Sequence, residues 1–533
     1  MSGKLAKVWQ LSQNSWRFLL IIILAIGIFF RFANLDQKVY WIDEAGTSRY
    51  ISGYTEPEVD QDIFDGRLFD VGDLQKYQYP DEQKTAADVI ENLAQNNPEH
   101  PPLYFLALRI WLKFFGNSVA AIRSFSAIIS LLTFPCIYWL CQELFQSKWV
   151  SWTAVALTAI SPVHIVYAQE ARQYSLWIVM ILISSAILLR AIRKKNKINW
   201  LLYGVTVSLG LYTHLFFALV AFGHGIYVIL TERFKFNRVS LSYLSALLIP
   251  LFAFGPWLWI LFTQPPTPGI VSWMDDTPSP LFMAIRLAGV ISRTFVDLGI
   301  SPNDSLFSML LLAPVILILF VLIGYSLYFV FRHSSERVWL FIFTLVGVTS
   351  LTVIFCYLIL DKQIATTRYL LPVSLGIQLS ISYLLATKIE VSPFVGGLWK
   401  PRFWRISIIL ISFLGILSCT IRAQSEIWWN QVPKLTENIP EIAEIVNQAD
   451  RPLVISDAIP GVPRFLLYGL SHRLIPEVKL QLFLKSDMPV MKYDSGDVFL
   501  FESSEELRTE IETLYDAKAK LIVGSLWQLE SSQ

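Results

Sequence analysis

The run FLLIIILAIGIFFRFA, Phe18–Ala33, is followed closely by Tyr40-Trp41-Ile42-Asp43-Glu44-Ala45. The first stretch approaches the length of a membrane-crossing helix, and the second puts two adjacent carboxylates at its exit. Ionisable groups at a membrane boundary are costly and usually have a task. An acidic pair in a solvated loop is the plain alternative, so the weight of Asp43 and Glu44 depends on what else the chain brings to that side.

Over the 533 residues, 54% are hydrophobic, 14% aromatic and only 16% charged, with a mean hydropathy of +0.50. Leu306–Phe331 and Trp339–Leu360 reach the ~20 apolar residues that hydrocarbon requires. The chain reads as an all-α polytopic membrane protein rather than a set of soluble domains. A net charge of +1 gives no reason to expect nucleic acid, because basic residues on such a chain chiefly set topology. Cys136, Cys141, Cys356 and Cys419 lie in or beside apolar runs without a CxxC spacing, and read as small core residues. The N-terminal pattern resembles a signal peptide but has no small-x-small site before Arg31-Phe32, so an uncleaved first span is expected.

Lys4, Lys7 and Arg17 place the N-terminus inside, and residues 18–34 cross outward. Segment 36–100 has fifteen acidic residues against five basic ones and suits an outer loop. The basic cluster Arg190, Arg193, Lys194, Lys195 and Lys197 should be cytoplasmic. Three runs, 119–142, 149–167 and 173–192, connect the two. A fourth crossing at 101–116 would put five positive charges outside, so that run, with Arg109 and Lys113 on one face, is expected to be a juxtamembrane helix. Segment 199–231 lies between two basic clusters and would be ~45 Å as one helix, so two short spans meeting near Tyr212-Thr213-His214 are expected. Spans at 240–262, 306–331, 338–360, 369–387 and 404–422, with a proline-rich outer loop at 263–305, bring the expected total to eleven.

Beyond about residue 423 the composition becomes that of a soluble domain. Leu453–Ser456 and Val498–Glu502 read as buried strands. Glu437–Asn447 and Ser503–Ala517 read as helices, the second opened by a capping-type Ser503-Ser504-Glu505-Glu506. The expected division is a transmembrane domain, 1–422, with an external loop at 36–118, and an external α/β domain at 423–533.

This topology puts five motifs on the outer face: Asp43-Glu44, Glu99-His100-Pro101-Pro102, Gln169-Glu170-Ala171-Arg172-Gln173-Tyr174, Tyr212-Thr213-His214 and Thr367-Arg368-Tyr369. Carboxylates can deprotonate a hydroxyl or hold a divalent cation. Arginines offer a permanent, forked positive charge suited to phosphate. Histidine serves as base or ligand. Singly, each has a plain reading: Arg172 and Arg368 snorkelling at helix ends, His214 capping locally, Glu99-His100 opening the helix that the two prolines pre-organise. Together they suit phosphoryl-activated group transfer.

Asp43-Glu44 after a first span, Glu99-His100-Pro101-Pro102-Leu103-Tyr104, Ala171-Arg172-Gln173-Tyr174, Tyr212-Thr213-His214 and Arg368-Tyr369-Leu370-Leu371-Pro372 make the chain resemble the family 39 type of GT-C glycosyltransferase. That group includes protein O-mannosyltransferases and the aminoarabinose transferases of lipid A. The resemblance covers about residues 15–425. It implies a GT-C fold, a sugar donor on polyprenyl phosphate, inversion at the anomeric carbon, and Asp43 as catalytic carboxylate beside Glu44. It further implies substrate contacts from Arg49, Tyr50, His100, Glu170, Arg172, Tyr174, Arg368 and Tyr369. A divalent metal on Glu99 and His214 is a further expectation. His100 stands where some relatives carry a lysine, a departure at a phosphate-binding position. The acceptor would be a protein, lipid or glycan, and the enzyme would sit in the inner or plasma membrane with its site on the external or periplasmic side.

A lipid-linked donor keeps its tail in the bilayer and carries its own leaving group, and no Walker or Rossmann glycine pattern adjoins a strand. A transporter or flippase would favour charges at mid-bilayer and repeated halves, which the chain lacks. A ligase or polymerase of lipid-linked saccharides would be expected to carry its long loop late in the chain, whereas the main acidic loop comes first.

Overall fold

A computed structural model describes residues 18–264, 272–300, 306–390, 401–457, 460–484 and 496–531. Lys4, Lys7, Arg17, Lys400 and the proline cluster Pro265, Pro266 and Pro268 lie outside the described residues. The chain divides into two compact units. One, here the helical unit, takes Met1–Ala33, Glu99–Pro101 and Arg123–Gln424; the other, the mixed unit, takes Asn34–Pro98, Pro102–Ile122 and Ser425–Gln533.

The apolar runs of the helical unit are helices. Six helices along the described chain are long and apolar enough to cross a membrane: Val119–Phe145, Tyr174–Lys194, Arg238–Thr263, Leu312–His333, Glu336–Ile359 and Arg402–Gln424. A seventh arises if Lys148–Ala159 and Pro162–Ala168, bent by 60°, count as one span. This is fewer than the eleven expected. The other four expected spans are helical, but Phe18–Phe32, Lys197–Thr213 (17 residues) and Phe217–Thr231 (15 residues) are short. The fourth, Leu371–Glu390, carries Ser374, Gln378, Ser380 and Ser382 buried among its apolar residues. A further helix, Pro280–Ser292, occupies part of the segment expected to be a loop.

Polar contacts lock these helices together where backbone amides and carbonyls need partners. Arg31, fully buried, donates to the carbonyls of Gly27 and Ala159 (both 2.7 Å) and Thr158 (3.2 Å), capping the end of Lys148–Ala159. Gly27 allows that approach: a Cβ there would lie 2.4 Å from the Ala159 carbonyl oxygen. Pro162 begins the next helix, consistent with proline's fitness for a first turn, and the bend leads straight into the Gln169–Gln173 loop. Gln169 Nε2 then donates to the carbonyls of Phe30 and Ala33, both at 2.7 Å, closing the end of the first helix.

In the mixed unit a six-stranded sheet has the order β1-β3-β2-β4-β6-β5. The strands are β1 Asp65–Asp70, β2 Leu453–Ser456, β3 Lys479–Phe483, β4 Val498–Phe501, β5 Ala517–Val523 and β6 Leu526–Ser531. Strand β2 runs parallel to β3 and β4, and the other neighbours are antiparallel. All residues of β2 and β4 are buried, as apolar runs in a parallel centre should be. The expected helices are Ile439–Gln448 and Glu505–Tyr515, the latter capped by Ser504 Oγ accepting from Leu507 N–H at 3.1 Å.

Strand β1 comes from the first loop, not the C-terminal segment. It pairs with β3, placing Asp70 opposite Lys479. Arg464, on helix Val462–Ser471, reaches Glu56 (2.8 Å) and Asp60 (2.7 Å) and lies 4.3 Å from the Phe64 ring centre. The compact unit therefore joins most of loop 36–118 to the C-terminal residues, where composition had assigned the loop to the transmembrane domain. The expected juxtamembrane segment is helix Leu103–Phe115 of this unit.

Candidate active site

The helical unit gathers most of the motifs expected on the outer face. Arg172 follows the Pro162 bend, and its backbone N–H donates to the Glu170 carbonyl at 2.7 Å. Gln169, tied to Phe30 and Ala33 on one side, accepts from Arg422 on the other, so the loop is held from two helices. Ser126 Oγ adds a bond to the Arg172 carbonyl at 3.2 Å. Glu170 is itself buried, at 3% exposure.

Arg172 donates from Nη2 to His100 Nε2, so His100 is a neutral imidazole with its proton on Nδ1. Its guanidinium also lies 5.9 Å from the Tyr174 ring centre. Arg368 Nη1 donates to the hydroxyl of that same Tyr174 at 3.2 Å. Arg368 lies 5.7 Å from the ring centres of both Trp273 and Tyr369. Tyr174 is therefore the link between two arginines almost two hundred residues apart in the chain.

His214 sits at the break between Lys197–Thr213 and Phe217–Thr231, which is why it can leave the helix axis. Its ring stacks on Trp177 (4.2 Å, 7°), and its Nδ1 accepts the Phe216 N–H at 3.1 Å. The proton of His214 is therefore on Nε2. Phe216 stacks on Tyr369 (4.2 Å, 7°), continuing the wall. Burial and the cations Arg172 and Arg368 push His214 down to about 3. Burial, Arg172, His214 and Arg368 likewise hold His100 well below the ordinary imidazole value. Both histidines are neutral at physiological pH. The cluster thus brings two guanidiniums and two neutral imidazoles together between aromatic faces. This is the chemistry of a receptor for a phosphate or another oxyanion.

Trp273 is placed by a second set of bonds. Gln363 N–H donates to the Met274 carbonyl (2.7 Å), Tyr357 to the Pro278 carbonyl (2.8 Å), and Thr277 to Asp361 (2.9 Å). Thr366 Oγ1, Thr367 Oγ1 and Glu99 Oε2 are buried without a hydrogen-bond partner among the described residues. Such atoms in a native fold call for an explanation, and a ligand is one.

In the mixed unit, Asp43 and Glu44 occupy the first turn of helix Ile42–Ser52, where negative charge complements the helix dipole. Asp43 is partly exposed, whereas Glu44 is 1% exposed. Gly469 lets helix Val462–Ser471 pack here: a Cβ at that position would lie 2.3 Å from the Tyr40 carbonyl oxygen. Arg49 and Tyr50, expected to contact substrate, are used inside this unit. Arg49 is fully buried, 3.3 Å from Glu56, and donates to the Tyr54 carbonyl at 2.8 Å. The Tyr50 hydroxyl accepts from Asn97 at 3.2 Å, and its ring packs edge-on to Phe105.

The expected metal pair does not fit. Among the described residues no three His, Cys, Asp or Glu side chains form a group that could hold an ion. His214 Nδ1 already accepts a backbone proton, so its Nε2 bears hydrogen and has no lone pair for a metal. Glu99 keeps an orphan oxygen but belongs to no such group among the described residues.

Residues 99–260 match the family described as dolichyl-phosphate-mannose-protein mannosyltransferase. The matched segment, under a third of the chain, contains His100, Glu170, Arg172, Tyr174 and His214; Asp43 and Arg368 lie outside it. Similar solved structures include ArnT from Cupriavidus metallidurans bound to undecaprenyl phosphate, with 14% identity over 97% of this chain and 98% of that one, at a TM-score of 0.49. The archaeal oligosaccharyltransferase AglB from Archaeoglobus fulgidus, in complex with an inhibitory peptide and a dolichol-phosphate, is 14% identical over 88% of this chain and 64% of that one, at a TM-score of 0.43. A search by sequence finds no match among curated proteins.

Trp177, Phe216 and Trp273 were not singled out from the sequence. Trp177 was within reach, because it stands three residues after Tyr174 and so shares its helix face. Phe216 and Trp273 carry no local signal; only their stacking on Tyr369 and contact with Arg368 reveal them.

Proposed function

We propose that this chain is a GT-C glycosyltransferase that transfers a sugar from a polyprenyl-phosphate donor to an acceptor on the external or periplasmic side of the inner or plasma membrane, with inversion at the anomeric carbon. The observation that carries this reading is the cluster of Arg172, Arg368, His100 and His214 between aromatic faces. A lipid phosphate suits it, because charge builds on that phosphate as the bond to the sugar breaks. The family description of the 99–260 segment, which names a lipid-phosphate sugar, supports the same donor class.

In the proposed step an acceptor hydroxyl oxygen bonds to the anomeric carbon as the bond from that carbon to the phosphate oxygen breaks. The bonding pair leaves on the phosphate, whose charge Arg172 and Arg368 stabilise. The hydroxyl proton passes to Asp43, the more accessible carboxylate of the pair. Glu44, buried beside it, positions the turn that carries Asp43. The aromatic faces of Tyr369 and Trp273 orient the donor headgroup.

The test compares Asp43→Asn with Glu44→Gln on one lipid-linked donor. Loss of a general base removes ~10²–10⁴ in rate, so Asp43→Asn should retain donor binding while transfer collapses. Glu44→Gln should be milder. A severe Glu44 variant beside an active Asp43 variant would reverse the assignment. Mass spectrometry of envelope glycoconjugates with and without the gene would identify sugar and acceptor.

A further inference from the structure

The basic cluster that orients the helical unit also builds a concavity of about 470 Å³, away from the cluster described above. It lies between the ends of helices Thr133–Phe145 and Tyr174–Lys194 and the start of Lys197–Thr213. Trp139, Ile187 and Leu202 form its apolar lining, and Arg190, Lys194 and Asn199 its polar lining. Arg193 is committed elsewhere: it forms a two-pronged pair with Glu143 Oε1 (2.8 Å) and Oε2 (2.7 Å). Arg190 stands 4.0 Å from the same carboxylate, with its guanidinium 6.0 Å from the Trp139 ring centre. Glu143 is thus shared, with Trp139 Nε1 as a further donor at 3.3 Å. Lys194 has no carboxylate partner among the described residues. A tight turn, with Lys195 at φ +53° and Asn196 capping the next helix, joins two helices that line the rim of the concavity.

From this rim an apolar stripe runs along the next helix. Ile198 (67% exposed), Leu201, Leu202, Val205 and Leu209 recur at helical spacing and all remain open. A cationic pocket bearing a tryptophan, continued by an exposed apolar stripe, matches one kind of occupant: an amphiphile with an anionic head and acyl chains. The basic residues themselves mark this end as the cytoplasmic one, where anionic lipids are enriched.

We propose that this concavity binds the headgroup of an anionic phospholipid. Arg190 and Lys194 hold the phosphate, Asn199 supplies a polar contact to the headgroup, and the acyl chains lie along the Ile198–Leu209 stripe. The ligand is separate from the donor lipid of the proposed reaction, and the site does not depend on that reaction.

The full chain, purified in neutral detergent, is titrated with phosphatidylglycerol or phosphatidylcholine of equal acyl length and read by native mass spectrometry. Phosphatidylglycerol should bind at lower concentration. Each basic side chain near such a surface is worth a factor of about five, so Lys194→Gln should weaken it about fivefold and Arg190→Gln with Lys194→Gln about thirtyfold. Lys194 is exposed at a helix end, so its single variant carries the test if the double one fails to fold. Lys235→Gln with Arg238→Gln should bind as wild type. Equal binding of the two lipids, an unchanged Lys194 variant, or an equal loss in the Lys235 and Arg238 variant would each overturn the site. So would inorganic phosphate occupying it with no preference between the lipids.

Discussion

Arg368 offers the most graded test of the proposed donor site, because its surroundings separate charge, fork and orientation. Its guanidinium is half-buried, bonded to Tyr174 at 3.2 Å and flanked by two aromatic faces at 5.7 Å. A hydrogen bond to a charged group contributes about 1.5–3 kcal/mol. Arg368→Ala should therefore lower kcat/KM by roughly 10- to 150-fold if one such bond to the phosphate is lost. Arg368→Lys keeps the charge and loses the fork, so a loss of about tenfold is expected. Tyr174→Phe removes only the orienting bond, about 1 kcal/mol, for a loss near fivefold. The assay measures initial rates in nanodiscs with a lipid-linked donor, together with product inhibition by free polyprenyl phosphate. The inhibition constant should follow the same order, while the acceptor KM stays near wild type. An unchanged inhibition constant in Arg368→Ala would refute the phosphate role. A Tyr174→Phe loss as large as that of Arg368→Ala would show that the cluster acts through packing.

The histidines give a pH prediction. Burial and the two arginines hold His214 at about 3 and His100 well below the usual value, so donor KM should be flat from pH 8 down through 6.5. A donor KM that titrates near 6.5 would contradict the neutral assignment. By linkage, a depressed imidazole contributes stability that is fully present above its unfolded pKa of about 6.5 and is lost as pH falls toward the folded value. Thermal stability should therefore decline below pH 6.5, and His214→Phe, which keeps a ring on Trp177, should reduce that slope. In the mixed unit, burial pushes the Asp60 carboxyl up despite the opposing pull of Arg464, so the net gain from that pair is small while its rupture is costly. Arg464→Ala should cost about 2 kcal/mol, below the fully buried range because Glu56 and Asp60 are partly exposed; limited proteolysis of the C-terminal segment would report it. A chelator should leave transfer unchanged, since the expected ligand pair has no third group among the described residues and no free imidazole lone pair; loss of activity restored by a divalent cation would refute this.

Much of the helical architecture was legible from the chain alone, because hydrophobic length and helical rise are local quantities. Runs 173–192, 240–262 and 338–360 became Tyr174–Lys194, Arg238–Thr263 and Glu336–Ile359, and the break at Tyr212-Thr213-His214 fell where an overlong segment required one. Spacing likewise marked β2, β4 and the helix capped by Ser504. The pairing of β1 with β3 was not legible, because its hydrogen bonds cross some four hundred residues and Asp65–Asp70 has no alternation that would announce a strand. Nor could the sequence separate Arg49 from Arg172. Both stand in motifs near a helix end, yet one is enclosed with Glu56 and the Tyr54 carbonyl, and the other joins His100 and Tyr174. A side chain's charge and fork are written in its residue type; whether they face a carboxylate, a ring or an open cleft is set by segments far away in the chain, and only the tertiary structure brings those together.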